Sequence, residues 1–522
     1  MRKFVILKKI RVVVSLIFFF LTIGLFLDIS GLLPEKFYDS ILYLQFFPSL
    51  IKFISIGGLA AAGFIFVLIL TIFFGRIYCS TICPLGTLQD IIIFFSRKLK
   101  ITKKFTKTKT YNWLRYSILA ITIISFFFGS VLLINLLDPF SNFGKISTNL
   151  FRPVFLGLNN LLALSLQKVN SFYLYPVHYR SFNLPAFFYS IFFLGVIVLM
   201  SLKKGRLFCN TICPVGALLG LVSKFSFFKI IINKDLCNSC QKCVVSCKTG
   251  CIDIKEQKVN FSECVGCLDC ISVCPSNGIN FSFSSQRGSK KEDEKKPDIP
   301  KRKFIKNSMM LTLGISAFPT NKKDLQNLKL SQIPEQKKHP VTPPGSVSFE
   351  HFTKLCTACH LCISTCPTQV LQASFLEYGL GGIMQPRMDY HKEYCNFECT
   401  ACGEVCPTGA ILPLNREKKK TTQIGKVIFI KENCIVETDG TDCGACSEHC
   451  PTKAVTMKPH KGLFLPEVNT EICIGCGACE FACPVEPYKA IYVEGNPVHK
   501  TAKKPVIKKI DADFNDEEDF PF

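Results

Sequence analysis

The sequence predicts a multidomain protein in which an α-helical membrane domain precedes α+β ferredoxin-like domains with [4Fe–4S] clusters. Hydrophobic residues make up 48% of the 522 residues and gather in long runs in the first half. In addition, 24 of the 29 cysteines fall into six sets of four with ferredoxin-like spacing. We expect a membrane domain at 1–229, a dicluster ferredoxin domain at 230–285, a linker at 286–348, a four-cluster ferredoxin domain at 349–495 and a disordered tail at 496–522.

Four apolar segments approach the length of about 20 residues that a helix needs to cross a bilayer. They cover residues 12–27, 54–74, 113–137 and 184–201. A cleaved signal peptide is the alternative for the first, but no small-x-small site follows it. The run at 151–166 is interrupted by Asn159 and Asn160, so we expect an external interfacial or re-entrant helix there. The prediction is a multi-pass protein of the bacterial inner membrane with four transmembrane helices.

Basic residues indicate the orientation of these helices. They cluster in the loop after the second span, from Arg97 to Lys109, and directly after the fourth, at Lys203, Lys204 and Arg206. Because cytoplasmic loops carry an excess of Lys and Arg, we expect the N-terminus and the dicluster domain in the cytoplasm. The net charge of +23 lies beside apolar segments, in linkers and in the tail. We therefore expect no nucleic-acid partner.

Two cysteine sets in the dicluster domain have the x2, x2, x3 spacing of bacterial ferredoxins, in which the fourth thiolate crosses to the other cluster. The predicted ligands are Cys237, Cys240, Cys243 and Cys274 for one cluster and Cys264, Cys267, Cys270 and Cys247 for the other. Zinc sites would use paired CxxC units with a longer spacer. Cys251 belongs to neither set, and we expect a buried, inert thiol there.

Four more sets each end in a Cys-Pro pair. They are Cys356, Cys359, Cys362 and Cys366; Cys395, Cys399, Cys402 and Cys406; Cys434, Cys443, Cys446 and Cys450; and Cys473, Cys476, Cys479 and Cys483. The second and third sets are stretched, which favours pairing of the two regular sets with each other and of the two stretched sets inside them. Sequential pairing stays open. In total we predict six [4Fe–4S] clusters.

Haem is the competing cofactor for one of these sets. Cys356, Cys359 and His360 match the CxxCH attachment site of a c-type haem. That reading leaves Cys362 and Cys366, which follow in ferredoxin register, unexplained. No histidine lies within the four predicted spans, which disfavours haem b. We therefore expect no haem.

The membrane half contains an internal repeat, GRIYCSTICPLGTLQD at 75–90 and GRLFCNTICPVGALLG at 205–220. Each copy follows a predicted span at the cytoplasmic face. Four cysteines can then converge about a pseudo-two-fold axis, namely Cys79, Cys83, Cys209 and Cys213. Three interpretations stay open: one further iron–sulfur centre, two dithiols, or turns that only begin surface helices.

The repeated GRxxCxxxCPxG unit with its dicluster ferredoxin resembles polyferredoxin membrane proteins of the NapH and NosR type. The segments CTACHLCISTCP, CNFECTACGEVCPTGAI, CGACSEHCPTKAV and CIGCGACEFACP resemble four-cluster ferredoxins of the NapG and MauM type. The resemblance implies a quinol-oxidising module fused to its own four-cluster wire, with a redox partner protein, a reductase or cytochrome, outside the cytoplasm. Unlike those proteins, both parts lie in one chain, Lys248 replaces the proline after Cys247, and no flavin-attachment region of the NosR kind is present, so we expect no flavin.

Two functions are therefore weighed. The first is a quinol dehydrogenase or respiratory electron carrier that delivers electrons from quinol to a reductase. The second is a membrane ferredoxin for assembly or maturation of a metalloenzyme, which would use the same cysteines to reduce metal or disulfides. The sequence has no Rossmann glycine fingerprint, P-loop or hydrolytic triad, so no nucleotide site and no catalytic acid or base is predicted.

The side of the membrane on which the four-cluster domain lies depends on the linker. Residues 301–306 have the sequence KRKFIK and precede an apolar run at 308–318. This order resembles a twin-arginine export signal with lysine in place of the first arginine. We expect the four-cluster domain in the periplasm. A basic linker before a cytoplasmic amphipathic segment is the alternative, because the run is only about half as long as a spanning helix.

Overall fold

The computed structural model describes residues 2–28, 33–58, 61–101, 111–177, 182–283 and 332–504. Residues 1–284 and 335–522 belong to one compact unit, and residues 285–334 belong to a second. The twin-arginine-like segment at 301–318 and most of the basic loop that follows residue 101 lie outside the described residues. The tail beyond residue 504 does as well.

The described residues up to 225 are mainly helical. The helices are α1 (Arg2–Leu27), α2 (Glu35–Tyr43), α3 (Phe46–Ile56), α4 (Gly63–Phe74), α5 (Tyr78–Thr81), α6 (Pro84–Lys98), α7 (Asn112–Phe127), α8 (Leu132–Leu137), α9 (Pro139–Ile146), α10 (Arg152–Gln167), α11 (Leu184–Lys204), α12 (Leu207–Thr211) and α13 (Pro214–Val222). A π-helical turn at Ser147–Phe151 joins α9 to α10, so the interrupted apolar run predicted at 151–166 is helical.

Among the described residues, two helices are long and apolar enough to cross a membrane, Ile6–Leu27 and Leu184–Lys204. The pair α2 and α3, bent by 106°, counts as a third if it is taken as one broken span. The predicted span at 54–74 is broken between α3 and α4, where Gly57 and Gly58 have φ angles of +74° and +86°. The span at 113–137 divides into α7 and α8 around Gly129, with φ of +79°. Left-handed glycines end helices, so two of the four predicted spans are interrupted.

Two ferredoxin-like regions follow, made of short helices and two-stranded antiparallel sheets. The first region contains β1 (Phe228–Ile232), α14 (Lys242–Ser246), β2 (Ile252–Asp253), β3 (Lys258–Val259), α15 (Asp269–Ser272) and β4 (Ile279–Phe283). Strand β1 pairs with β4, from Phe228 opposite Phe283 to Ile232 opposite Ile279, and β2 pairs with β3. This arrangement brings the two cysteine sets of the region between the β1–β4 pair and the short helices.

The second region runs from residue 335 to Thr501. It contains α16 (Phe349–Leu355), α17 (Leu361–Thr365), β5 (Leu371–Ala373), β6 (Pro386–Met388), α18 (Ala401–Glu404), α19 (Arg416–Thr421), β7 (Thr422–Phe429), α20 (Ile435–Thr438), α21 (Ala445–Glu448), β8 (Val455–His460), β9 (Leu463–Val468), α22 (Ala478–Ala482) and β10 (Ile491–Thr501). The pairs are β5–β6, β7–β10 and β8–β9. Strand β10 continues past the predicted start of the tail at residue 496, because its last residues pair with β7.

The two ferredoxin regions contact opposite ends of α1. Near its start, Lys8 forms an ion pair of 2.9 Å with Asp269 of the first region. Near its end, Phe26 lies beside Gly144, and the carbonyl oxygen of Cys359 from the second region lies against the same glycine. Since α1 has 26 residues and a helix rises 1.5 Å per residue, these contacts are separated by most of a length of about 39 Å.

Helix α11 shows the same arrangement in the reverse direction. Asn183, which caps its start, donates a hydrogen bond of 2.9 Å to the carbonyl of Ala373 in the second region. Just past its end, the backbone N–H of Arg206 donates to the carbonyl of Lys248 in the first region at 2.9 Å. Both α1 and α11 therefore have one ferredoxin region at each end, so the helical region lies between the two ferredoxin regions.

The hydrophobic core of the helical region extends into both ferredoxin regions, and in the first region it includes Val265 and Cys267. A single cluster of buried side chains joins Phe26 and Phe143 of the helical region to Phe352, Val370 and Ile411 of the second ferredoxin region. The first ferredoxin region has its own core, which includes Ile230 and Ile279 together with its cysteines. A third core lies in the last part of the chain, around Val455 and Ile491. The start of the second region is thus built onto the helices.

Candidate iron–sulfur sites

The four regular cysteine sets share one local conformation. In each, the residue directly after the second cysteine has a left-handed backbone, with φ of 60° at Gln241, 61° at Leu268, 65° at His360 and 81° at Gly477. A short helix that carries the third cysteine begins at the next residue. The left-handed residue reverses the chain, so three side chains of a CxxCxxC segment turn toward one centre. His360 occupies this turn and caps α17, and its Nε2 lies 2.9 Å from the carbonyl of Met384.

In the first ferredoxin region the structure brings the cysteines together in two groups. One cavity is lined by Cys237, Cys240, Cys243 and Cys274, which we call group 1. Group 2 is Cys264, Cys267, Cys270 and Cys247. Burial raises the pKa of Cys270, and the charges of Cys267, Cys264 and Cys247 raise it further, in that order. The fourth cysteine of each set therefore lies with the other set.

The second region contains four such groups. Each group is defined by electrostatic interactions between its sulfur atoms, and the four cysteines of the last group also line one cavity. Group 3 is Cys356, Cys359, Cys362 and Cys406, group 4 is Cys395, Cys399, Cys402 and Cys366, group 5 is Cys473, Cys476, Cys479 and Cys450, and group 6 is Cys434, Cys443, Cys446 and Cys483. The favoured pairing of the two regular sets was wrong, since neighbouring sets in sequence exchange their fourth cysteines. Each pair of adjacent sets therefore forms one local two-cluster unit.

Contacts between units give the order of these groups. The backbone N–H of Cys395 in group 4 donates to the carbonyl of Cys476 in group 5 at 2.9 Å. The hydroxyl of Tyr390 donates to the carbonyl of Gly475 at 2.6 Å at the same junction. Because groups 3 and 4 exchange cysteines, as do groups 5 and 6, the second region carries its groups in the order 3, 4, 5, 6.

The thiols of these groups are suited to bind metal as thiolates. Burial raises the pKa of Cys267, Cys446 and Cys476 to about 12, so each would be a neutral thiol at neutral pH without a metal ion. Iron replaces the proton and holds the thiolate. The donor set of four sulfurs per group fits a [4Fe–4S] cluster, and ligation by these residues stays a prediction.

Cys251 lies closer to a cluster site than the sequence indicated. Its Sγ is 3.6 Å from the Sγ of Cys247, and both side chains are buried. The interaction with Cys251 is the largest cause that lowers the pKa of Cys247, to about 6. The sequence offered one signal of this proximity. Cys251 stands four residues after Cys247, a position where the other sets have small residues.

The four cysteines of the internal repeat converge, and all four are buried. Interactions among the thiol groups link each of the four to the others. Cys83 and Cys213 cap the N-termini of α6 and α13, with Pro84 and Pro214 as the first helical residues. The N–H of Gly216 donates to the Sγ of Cys213 at 3.3 Å. We call this set the repeat group.

Buried arginines surround the repeat group. The guanidinium of Arg76 donates to the carbonyl of Cys264 at 3.2 Å, to the carbonyl of Gly216 at 2.9 Å and to Oδ1 of Asn210 at 2.7 Å. Arg206 forms an ion pair of 2.9 Å with Asp90 and also donates to the carbonyl of Cys79. Each arginine thus reaches the other copy of the repeat. The contact with Cys264 sets group 2 beside the repeat group.

Buried polar residues lie between the repeat group and group 3. Asp138, just before α9, interacts electrostatically with both Tyr78 and Cys359. Lys145 donates to the carbonyl and side-chain oxygens of Asn135 at 2.7 and 2.6 Å, and it interacts electrostatically with Cys359. The repeat group is therefore followed by group 3, and the full order is 1, 2, repeat, 3, 4, 5, 6.

Comparison with protein families identifies iron–sulfur domains in both halves. A family described as "4Fe-4S binding domain" matches residues 56–102 and 185–234, which include the two repeats. A family described as "4Fe-4S dicluster domain" matches residues 355–410 and 441–486, and another "4Fe-4S binding domain" matches 264–279. These matches bear out iron–sulfur ferredoxin domains.

Two ferredoxin-type relatives come from Escherichia coli (strain K12). "Ferredoxin-type protein NapF" is 29% identical over 157 residues, which are 30% of this chain and 87% of the relative. "Ferredoxin-type protein NapG" is 29% identical over 155 residues, 28% of this chain and 66% of the relative. "Putative electron transport protein YccM" of the same organism is 36% identical over 97 residues, 18% of this chain and 27% of the relative. No solved structure matches.

The chain is therefore an iron–sulfur electron-transfer protein with distant homology to NapF and NapG ferredoxin-type proteins. The assignment to the NapH and NosR type stays a prediction. Sequence reasoning identified every cysteine that these groups contain. It missed the role of Arg76 and Arg206, although both occupy the same position of the GRxxCxxxCPxG repeat and that shared position was the available signal. It also missed Arg115 and the polar residues around Asp138, because single charged residues in apolar segments carry no spacing pattern.

Proposed function

We propose that this chain is an inner-membrane iron–sulfur wire that takes electrons from quinol and carries them through [4Fe–4S] clusters to a redox partner protein, such as a respiratory reductase. The observation that carries the proposal is the linear order of the cysteine groups, in which the repeat group lies between groups 2 and 3. In this role the chain is a quinol dehydrogenase component.

The repeat group would hold a seventh cluster within the helical region. Arg76 and Arg115 are fully buried beside it, as is Arg206, whose charge is paired with Asp90. A buried charge is costly unless an opposite charge lies near. Four thiolates with their cluster supply negative charge at this place, whereas two dithiols in the reduced, protonated state would supply none. A cluster also lets one-electron steps continue between groups 2 and 3, because all stations then work by the same chemistry.

The membrane position follows from the ends of the helices. In this proposal α1 and α11 each cross the bilayer as one helix, and the interrupted segments at 54–74 and 113–137, which contain α4 and α7, are the other two spans. The first ferredoxin region then lies in the cytoplasm and the second in the periplasm. Lys203 and Lys204 end α11 beside the first region, as the positive-inside rule expects for a cytoplasmic end. The apolar outer faces of α1 and α11, including Phe20 at 64% exposure and Phe192 at 70%, suit contact with lipid.

Vesicle reconstitution tests the wire. Protein in sealed vesicles that contain ferricyanide should carry electrons from external dithionite, so the trapped ferricyanide is bleached only when protein is present. Iron and sulfide analysis of the same anaerobic sample should give seven clusters per chain, or six if the repeat group is empty. Zinc as the main metal would refute the central claim. Full cluster reduction without bleaching inside would refute transfer across the membrane.

Protease treatment tests the orientation. In intact spheroplasts, added protease should cut the linker near residues 326–334 and leave the second ferredoxin region as a shortened fragment. An epitope tag on the N-terminus, expected in the cytoplasm, provides the matched control and should be degraded only after lysis. Protection of the linker until lysis would instead place both ferredoxin regions in the cytoplasm.

A further inference from the structure

A cavity of about 470 Å3 lies where the bent pair of helices α2 and α3 meets the second ferredoxin region. Its volume falls within the range of about 300–1,000 Å3 that small-molecule sites occupy. Asp39, Tyr43 and Lys52 contribute polar atoms to the wall, and Leu42 and Ala61 contribute apolar surface. None of these residues belongs to a cysteine group.

The polar side of the cavity contains an ion pair. Nζ of Lys52 lies 3.7 Å from Oδ1 of Asp39, and both side chains retain access to solvent, at 32% and 58%. Both groups keep hydrogen-bonding capacity for a ligand, since an ammonium has three donors and a carboxylate about four acceptor positions. A ligand with oxygen atoms on a flat apolar ring would find a donor and a proton acceptor here.

The opposite wall belongs to a cluster site. Pro407 lines the cavity and directly follows Cys406 of group 3. Helix α3 is fixed to the same segment, because Oγ of Ser55 donates to the carbonyl of Thr408 at 3.2 Å. Ile56 also packs against Gly409. A molecule in the cavity would therefore be separated from a group 3 ligand by a single residue.

Apolar surface leads toward the cavity from the outside. Helix α3 contributes Ser49 and Lys52 to the cavity wall, and α4 begins two residues after Ala61 of the same wall. The two helices expose Phe53, Ile54, Ile65 and Phe66 at 37–54% of their surface. The two helices do not form one straight span, since the chain bends by 106° between α2 and α3 and breaks again after Ile56. At membrane depth, non-helical backbone is tolerated where it is buried in protein or lines a cavity, and this bend lies beside a cavity.

We propose that this cavity binds the head group of a quinol and is the point at which electrons enter the wire. The inference rests on the proposed function, and it adds the binding site. A quinol that becomes a quinone loses two electrons and two protons. Two [4Fe–4S] clusters would each accept one of these electrons, and the cysteines of group 3 would hold the first acceptor. The protons pass one after the other to the Asp39 carboxylate and from it to water, while Lys52 donates a hydrogen bond to the ring oxygen.

Variants of the cavity wall test the site. Lys52→Met removes the donor, and Ala61→Phe fills the space beside it. In anaerobic detergent solution, each should lower the initial rate of cluster bleaching by menadiol at least tenfold and leave complete reduction by dithionite unchanged. Lys36→Met is the matched control, because Lys36 lies on α2 outside the cavity, and it should retain the wild-type rate. Wild-type menadiol rates in both wall variants would overturn the proposal.

A photoreactive azidoquinone locates the ligand independently of activity. After illumination of the cluster-loaded protein, the label should be found on peptides that contain residues 39–52 or Pro407, and excess menadione should prevent the labelling. Labelling elsewhere would overturn the proposal. If wild-type clusters are reduced by dithionite and carry electrons into vesicles but menadiol reduces none of them, the quinol site is refuted and the wire stands. If the protein holds no clusters, the wire itself is refuted.

Discussion

The two copies of the cysteine repeat are alike at their thiols. In copy one the N–H of Cys83 donates to the carbonyl of Tyr78 at 3.0 Å, and in copy two Cys213 donates to Phe208 at the same distance. A methyl group added to Gly86 or to its counterpart Gly216 would lie 2.2 Å from the carbonyl oxygen of the first cysteine of its own copy. Both copies therefore hold their cysteines by the same backbone packing.

The two copies differ in their charges. Copy one ends in Asp90, which forms ion pairs with Arg206, Arg11 and Lys248 at 2.9, 3.5 and 3.3 Å. The matching residue in copy two is Gly220, and the guanidinium of Arg115 lies in the space that a side chain there would need. The comparison indicates that the symmetric part of the repeat positions the four cysteines, whereas the asymmetric part fits each copy to its own neighbours.

Replacing the four cysteines of the repeat group should have the largest effect on electron transfer. The combined change Cys79→Ser, Cys83→Ser, Cys209→Ser and Cys213→Ser should abolish electron transfer from external dithionite to ferricyanide inside vesicles. The reason is that groups 2 and 3 lose the station between them. Reduction of the remaining clusters by dithionite in detergent should persist, because their ligands are unchanged. Wild-type transfer into vesicles would show that the turns only begin helices.

Replacing the charged part should separate the two copies. Arg206→Met removes one of three cations paired with the partly buried Asp90. Arg76→Met breaks three hydrogen bonds to neutral acceptors, and a hydrogen bond that involves a charged group contributes about 1.5–3 kcal/mol. Because only Arg206 of these two arginines pairs with Asp90 among the described residues, Asp90→Asn should combine non-additively with Arg206→Met, by about 0.5–3 kcal/mol, and additively with Arg76→Met. Thermal unfolding midpoints in detergent measure both combinations, and additive losses in both would contradict the asymmetry of the two arginines.

The glycines test the symmetry of the thiol part. Gly86→Ala and Gly216→Ala should each destabilise the protein by about 1–3 kcal/mol or more, since the new methyl group meets backbone that cannot yield. The two losses should be similar, because the approach is 2.2 Å in both copies. Gly195→Ala in α11 is the control, as nothing lies within 4 Å of its added methyl group. An unequal pair of losses would show that the copies pack differently.

Much of the metal chemistry could be predicted from the sequence, and much of the architecture could not. The regular CxxCxxC sets define their local fold because the left-handed residue and the short helix lie within the motif itself. Pairing of the four sets in the second region depends on contacts such as Cys395 with Cys476, which spacing does not encode. Likewise, hydropathy cannot reveal that left-handed Gly57 and Gly129 end helices within apolar runs.

The attachment of the second ferredoxin region to the helices was also beyond prediction. It depends on Gly144 in α9, where a side chain would lie 2.2 Å from the carbonyl oxygen of Cys359. These residues are more than 200 positions apart in the sequence. A glycine in an apolar segment gives no sign of the partner that approaches it, and residues 138–150, between the predicted span and the predicted interfacial helix, received no prediction of their own.

The smallest expected effect concerns a residue at which the copies differ without any charge. Tyr78 of copy one corresponds to Phe208 of copy two. Its hydroxyl makes two long hydrogen bonds with described residues, 3.3 Å to Oε1 of Gln45 and 3.4 Å from the N–H of Phe46. Tyr78→Phe makes copy one resemble copy two at this position. Because a hydrogen bond contributes about 0.5–1.5 kcal/mol net and these are at the long end, the loss of stability should lie at or below that range.

A second tyrosine, Tyr189, provides a reference for the size of this loss of stability. Tyr189→Phe removes a shorter hydrogen bond, 2.8 Å to Oδ1 of Asn142, and should lower the thermal unfolding midpoint more than Tyr78→Phe does. Since Tyr78 lies between the repeat group and Asp138, its substitution also tests the route to group 3. In the proposed wire the clusters carry the electrons, so Tyr78→Phe should retain the wild-type rate of ferricyanide bleaching in vesicles. A large loss of that rate, with all clusters present, would make the Tyr78 hydroxyl a necessary part of the route and would show that the two copies differ in function as well as in charge.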